Sequence, residues 1–178
     1  TTTIGAIEPI FPGTYRMILH VRYQTPIGVI DLFNAHLAGH DEYEAGVEEM
    51  EKVMAFVDGT SAPGAIAQIL AGDFNTEEDE TQLDVIRDAG FRDLGHEAGL
   101  TCFELGDPGC TSSTNPLGEA GARAERRIDF IWVRTQAPLT FKSQMVFSVP
   151  ANLGDGHALW ASDHVGVMTE ITRLAPGS

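Results

Sequence analysis

The sequence predicts a mixed α/β (α+β) domain in which polar residues gather where strands end. Three observations predict it. Short stretches alternate apolar and polar residues with the two-residue period of strands. One longer stretch carries an apolar stripe at helical spacing, and a central apolar run, Ala65 to Leu70, stops at Gly72-Asp73-Phe74-Asn75. Length and composition agree: 178 residues suffice for one sizeable core, and an apolar fraction of 43% suits a globular chain. No segment approaches the ~20 continuous apolar residues of a membrane-spanning helix. With 11 Lys+Arg against 26 Asp+Glu the net charge is −15, which argues against a protein held on nucleic acid by a basic surface.

Taken in order, residues 1–14 are poor in charge and hold Pro9, Pro12 and Gly13, which reads as a loose N-terminal arm ahead of a domain over 15–178. From Arg16 to Tyr23, Met17, Leu19, Val21 and Tyr23 alternate with Arg16, His20 and Arg22, as in a half-buried strand. Thr25-Pro26-Ile27-Gly28 suits a tight turn, so Val29 to Leu37 returns as the second arm of a hairpin. Over 41–57, Tyr43, Val47, Met50, Met54 and Val57 form one helical stripe, and Glu44, Glu48 and Glu51 fall off it towards solvent. Asp58 to Gly64 breaks that helix before the central strand. A second helix, near 79–89, carries Leu83, Ile86 and Ala89 and stops at Gly90.

Residues 95–126 are glycine-rich with little periodicity, a long loop of the kind that binds ligands. Arg127 to Arg134 reads as a strand. Leu139 to Val149 alternates Leu139, Phe141, Met145, Phe147 and Val149 with Thr140, Lys142, Gln144 and Ser148. A loop over 150–162 then leads to a closing strand, His164 to Ile171. Cys102 and Cys110 enclose a turn-rich stretch with Pro108-Gly109, compatible with a short disulfide or with two free thiols. A disulfide would favour an extracellular, oxidising setting. The opening Thr-Thr-Thr carries no signal-peptide pattern, and the compartment is not legible from it.

The chemistry-bearing residues cluster at strand ends. A glycine closing a buried strand lets the backbone turn sharply or a ligand come close, and strand alternation then sets Asp73 and Asn75 on one side with Phe74 anchored on the other. A carboxylate beside a carboxamide suits a site handling water and a phosphate oxygen; a polar turn would look much the same. His36 ends Asn34-Ala35-His36-Leu37, where a lone histidine is more often a satisfied core residue than a functional one. Asp129 lies in the apolar strand Arg127-Ile128-Asp129-Phe130, where a carboxylate needs a partner or a function. Ser162-Asp163-His164 opens the last strand.

In this order and at these gaps, the His-Leu strand end, Gly-Asp-Phe-Asn, Arg-Ile-Asp-Phe and Ser-Asp-His closely resemble the endonuclease/exonuclease/phosphatase superfamily of metal-dependent, deoxyribonuclease-like phosphodiesterases. The resemblance runs from about Arg16 to the C-terminus. It implies part of a two-layer β-sandwich flanked by helices, and a phosphoester hydrolase using Mg²⁺ or Mn²⁺. It implies His164 as general base, Asp129 as the carboxylate orienting it, and Asp73 holding the attacking water. Asn75 and His36 would bind phosphate oxygens, and Asp163 and Asp73 would serve the metal.

One departure is clear. The family's early Asn and principal metal-binding Glu lie upstream of the His-Leu strand, and Glu8, followed by Pro9, is a poor match for that Glu. The chain is therefore expected to be a C-terminal portion, with a sheet face left for the N-terminal half or a partner chain, weak Mg²⁺ binding and little turnover by itself. The expected substrate is a small phosphoester or a phospholipid head group. The alternatives are a nuclease acting on DNA or RNA, with a metal ion and a few local arginines serving the phosphates, and a non-catalytic binding fragment.

Overall fold

A computed structural model of the chain describes residues 2–7, 16–38, 43–105, 107–113, 123–154 and 157–174. Strands Thr2–Ile7 (β1), Arg16–Thr25 (β2) and Gly28–His36 (β3) form an antiparallel meander. The β2–β3 turn uses Gly28 at φ 136°, and the Thr25 hydroxyl donates to the Gly28 carbonyl at 2.6 Å. Helix Tyr43–Thr60 (α1) then crosses the sheet, so that Ala67–Asp73 (β4) pairs parallel to β3. A short 3-10 turn and helix Asp84–Asp88 (α2) lead to Arg92–Asp93 (β5) and helix Leu94–Glu97 (α3). Asp129–Thr135 (β6) inserts antiparallel between β4 and β5, giving the sheet order β1-β2-β3-β4-β6-β5.

The helices cover one face of this sheet. Met50, Val53, Met54 and Val57 of α1 and Ile86 of α2 pack on Ile18, Phe33, Leu70, Phe130 and Trp132. Against the other face lies an antiparallel pair, Leu139–Val146 (β7) and, after the small hairpin Ala151–Gly154 (β8) and His157–Leu159 (β9), Gly166–Arg173 (β10). Leu139, Phe141 and Ile171 of that pair pack on Ile69 and Val133. Strands β4 and β6 are thus covered on both sides, which is why they read as continuous apolar runs. Helices, main sheet and small sheet make the mixed α/β, sandwich-like layering that the sequence predicts.

Several expectations need correction. Thr2–Ile7 is an edge strand and not a loose arm, because an uncharged segment rich in β-branched residues completes β2's hydrogen bonds before Pro9 intervenes. Residues 8–15, with Glu8, lie outside the described residues, as do 114–122 of the long loop. In β2 the covered face carries Ile18 and His20, while Met17 and Tyr23 are exposed. The polar side turns inward because Asp31 waits there: its buried carboxylate accepts from Arg22 Nε at 2.7 Å and lies 2.9 Å from His20 Nε2. Helix α1 buries Val53 and Glu49 and leaves Tyr43 exposed, the Glu49 carboxylate accepting from the Ala38 N–H. Helix α3 and the β8–β9 hairpin occupy stretches read as loop, and strand β5 lies in a stretch given no element.

Candidate active site

The strand register builds the centre of the site. His36 is the cross-strand partner of Asp73 between β3 and β4, and Asp73 is the partner of Asp129 between β4 and β6. Three strand ends therefore deliver three polar side chains in one row. Gly72 makes the row possible: a Cβ there would sit 1.8 Å from the Ala35 carbonyl oxygen, at a φ of 142° that side-chain-bearing residues rarely adopt. Phe74 is fully buried, edge-on to Phe130 at 5.6 Å, and its N–H donates to the Ile128 carbonyl. Asn75 turns left-handed at φ 49°; its N–H donates to Asp73 Oδ1 and its Nδ2 donates to the Leu37 carbonyl, each at 2.9 Å. The motif is a locked turn that holds the Asp73 carboxylate at the strand's end.

His164 reaches the same place just before β10. Its Nδ1 lies 2.8 Å from Asp129 Oδ2, and its Nε2 lies 3.3 Å from the Ser112 hydroxyl and 4.0 Å from Asp73 Oδ2. His36 Nε2 lies 3.3 Å from that same Asp73 oxygen. Burial pushes the Asp129 carboxyl above the usual carboxylate range, against the opposing hydrogen bonds from Thr111 and His164. The Thr111 hydroxyl also accepts from the Ile128 and Asp129 N–H groups, at 3.1 and 3.2 Å, and so fixes the start of β6. With Asp129 accepting at Nδ1–H, the Nε2 lone pair faces the Ser112 hydroxyl and the cleft.

The cleft holds about 390 Å³ and is lined by Asn34, Asp73, Asp129, Phe147, Ser162 and His164 among others. A larger cavity of about 660 Å³, lined by Met145, Trp160 and Val165, contains none of the predicted site residues. The convergent polar groups line the smaller cleft. Of the six residues singled out from sequence, His36, Asp73, Asp129 and His164 come together. Asn75 is beside them with its amide tied to Leu37. Asp163 is exposed, with its carboxylate accepting from Ser162 Oγ at 3.1 Å. Sequence reading missed Thr111, Ser112, Asn34 and Phe147; the hydroxyl pair lies in the aperiodic loop and carries no signal of its own.

Asp73, Asp129 and His164 each offer a ligand atom, all within 4.8 Å of one another, and Asp163 is not in that group. His164 and Asp129 are paired to each other at 2.8 Å, which leaves the Asp73 carboxylate as the member of the group free to take a divalent cation that prefers oxygen ligands. Cys102 and Cys110 form a disulfide, which closes the loop directly before Thr111 and Ser112. Arg127 is buried away from the cleft, donating to Glu78 at 2.9 Å and Asp93 at 2.6 Å beneath the Phe130 ring.

Fold and site together define an α/β domain with an acidic, histidine-bearing cleft competent for a metal ion. The model of the endonuclease/exonuclease/phosphatase family matches residues 8–164, and the chain belongs to that family. Its members include metal-dependent phosphatases and phosphodiesterases. Comparison with curated protein sequences finds no match. Among solved structures, an endonuclease/exonuclease/phosphatase family protein of Bacteroides thetaiotaomicron aligns with TM-score 0.68 at 19% identity, over 96% of this chain and 64% of that one. A mannosyl-6-phosphatase of the same organism aligns with TM-score 0.65 at 20% identity, over 89% and 57%. D. rerio TDP2, complexed with single-strand DNA product, aligns with TM-score 0.65 at 20% identity, over 96% and 66%. At these identities the likeness is one of fold, and the chain spans less than two thirds of each of these proteins' length.

Proposed function

We propose that the protein hydrolyses phosphoester bonds with His164 as general base. The observation that carries the reading is the His164–Asp129 pair at 2.8 Å, with Asp73 across the open Nε2 face. A water held by Asp73 attacks phosphorus as its proton passes to His164 Nε2; the bond to the leaving alcohol breaks, and the proton later returns to that oxygen or to solvent. Asp129 keeps the proton on Nδ1, fixes the ring and stabilises the imidazolium that forms. The second N–H of the Asn75 amide and His36, half-exposed at the rim, bind phosphate oxygens and meet the charge growing there. A divalent cation, Mg²⁺ or Mn²⁺, would be held at Asp73, with Asp163 acting through water, and would neutralise phosphate charge.

The net charge of −15 favours a small phosphoester or a lipid head group over a long polyanion. The fold shared with a mannosyl-6-phosphatase fits that preference. The fold shared with a TDP2 bound to single-strand DNA product keeps a nuclease as the second reading. The disulfide supports an oxidising compartment, extracellular in the simplest case.

The test is hydrolysis of bis-p-nitrophenyl phosphate, a sugar phosphate and plasmid DNA, with Mg²⁺ or Mn²⁺ and with chelator. Few carboxylates hold the metal, so turnover is expected to be slow and is read over background at high enzyme concentration. His164→Ala should lower it by roughly 10²- to 10⁴-fold. A folded wild-type protein that hydrolyses none of the three is a binding module, and the proposal fails.

A further inference from the structure

Among the described residues, two non-glycine positions have positive φ, Asn75 at 49° and Phe147 at 59°. Asn75 has a local reason, since its backbone and side chain close the turn that holds Asp73. For Phe147 no such closing hydrogen bond is found among the described residues. A bulky residue in the left-handed region is an outlier, and such backbone strain gathers at functional sites. The conformation also leaves the ring 71% exposed, on the wall of the cleft that holds Asp73, Asp129 and His164. No described ring or cation pair involves it.

The ring is nonetheless seated. Strand β7 ends at Val146, and Gly166 opposite it has no side chain; a Cβ on Gly166 would come within 3.5 Å of Phe147 Cδ2 and 2.9 Å of Val146 Cγ2. A side chain at position 166 would therefore meet the edge of the ring, whose surface is otherwise largely open. The backbone strain holds the ring where it is, and its exposed face weighs against the free protein, which a flat ligand stacked on the ring would offset.

We propose that Phe147 is the stacking platform of a substrate subsite, and that it takes the face of a planar ring, a nucleobase or an aryl group, carried by the alcohol of the phosphoester. This rests on the reading of the cleft as a phosphoester site. A cleft of about 390 Å³ suits one such ring and its phosphate, and the chain's net charge of −15 disfavours a long nucleic acid.

Non-hydrolysable probes separate the subsite from the chemistry. Binding of phenylphosphonate, cyclohexylphosphonate and methylphosphonate is measured by titration calorimetry with Mg²⁺ or Mn²⁺ present, on wild type and Phe147→Gly. Glycine adopts the φ of this position freely, so the fold is expected to survive; Phe147→Asn, also tolerant of it, is the second ring-less variant. Wild type should prefer phenyl over methyl by roughly 5- to 100-fold, and both variants should lose that preference. Equal binding of phenyl and methyl, binding of neither, or a preference that persists in both variants would overturn the proposal. Cyclohexyl binding as tight as phenyl would replace stacking by simple apolar contact and overturn the planar ring. A phenyl preference in a protein that hydrolyses no ester would remove the hydrolase reading and keep the subsite, whereas turnover without that preference would do the reverse.

Discussion

Asp31 and Asp129 sit in nearly the same local sequence, Ile30-Asp31-Leu32-Phe33 and Ile128-Asp129-Phe130-Ile131, and each meets a histidine. Their electrostatics run in opposite directions. For Asp31, burial pushes the carboxyl up, but hydrogen bonds from Arg22, the Ala62 N–H and His20 outweigh it and hold the group below the usual range. A lowered carboxyl contributes stability that is present above the ordinary value of about 3.9 and is lost as pH falls through the lower native value. For Asp129, burial wins, so the unfolded chain gives up its proton first. Stability then falls as pH rises from the ordinary carboxylate value through the raised native one. At neutral pH the charge on Asp129 therefore weighs against folding, as expected where a carboxylate is kept for chemistry. Asp129→Asn should leave the melting temperature at pH 7 unchanged or higher while cutting turnover at least 100-fold; thermal melts beside kinetics check it. Asp31→Asn should cost about 3 kcal/mol, because Arg22 loses its counter-charge and an NH2 donor replaces one of the two oxygens that accept from Arg22, His20 and the Ala62 N–H. A large melting loss in the Asp129 variant would make that carboxylate structural. The sequence could not tell the two apart, because what differs is the place along the strand: Asp31 lies in mid-strand β3, and Asp129 is the first residue of β6.

At the scale of elements, the site depends on how closely β3 and β4 approach. Gly72 lets the Ala35 carbonyl pass where a side chain would begin, and the register carries that closeness one step on to His36 and Asp73. Gly72→Ala should therefore act twice. A 1.8 Å contact with backbone cannot be relieved by a rotamer change, and the residue must also hold φ at 142°. A loss of about 3 kcal/mol or more is expected by urea unfolding. Where the protein still folds, the separation of His36 and Asp73 should open beyond its 3.3 Å, and turnover should drop more than substrate affinity. Wild-type stability in the alanine variant would show that the strands have slack. The glycine was legible as a place for a sharp turn or a nearby ligand, since it closes an apolar strand ahead of two polar residues; that the Ala35 carbonyl of the neighbouring strand is what comes close was not. The sidedness of β2 was not legible. Its alternation gave the correct period, but the apolar set, Met17 and Tyr23 included, is the exposed one, because Asp31 on the neighbouring strand and the end of α1 receive His20 and Arg22. A period shows which residues share a face; which face is covered depends on strands and helices elsewhere in the chain.

For the whole molecule, the β2–β3 hairpin, α1, β4, α2 and the strands β6, β7 and β10 were legible, with polar residues at strand ends, because each rests on periodicity or on a turn residue that the sequence shows directly; β1, β5, α3 and the β8–β9 hairpin were not. The wall of the site built by 110–113 was not, since nothing in its composition says which strand it will meet. That wall is bridged to His164 through Ser112, and the Val165 N–H donates to the Thr111 carbonyl at 2.7 Å. The Cys102–Cys110 disulfide closes the loop just before it, and the Cys102 N–H donates to Glu78, which Arg127 ties to the start of β6. A loop of 8 residues' separation is short, so the entropic share of the cross-link is modest, about 2.5 kcal/mol. Its larger effect should be on this wall of the cleft. Replacing both cysteines by serine should lower the melting temperature by roughly 5–10 °C. The double variant should also reduce turnover at temperatures where the fold is intact, because Thr111 and Ser112 then hold Asp129 and His164 less firmly. Melting curves and initial rates well below the transition, compared with the wild type before and after treatment with a dithiol reductant, separate the two effects. If the variant melts earlier yet hydrolyses at the wild-type rate when folded, the disulfide serves stability alone and the wall keeps its place without it.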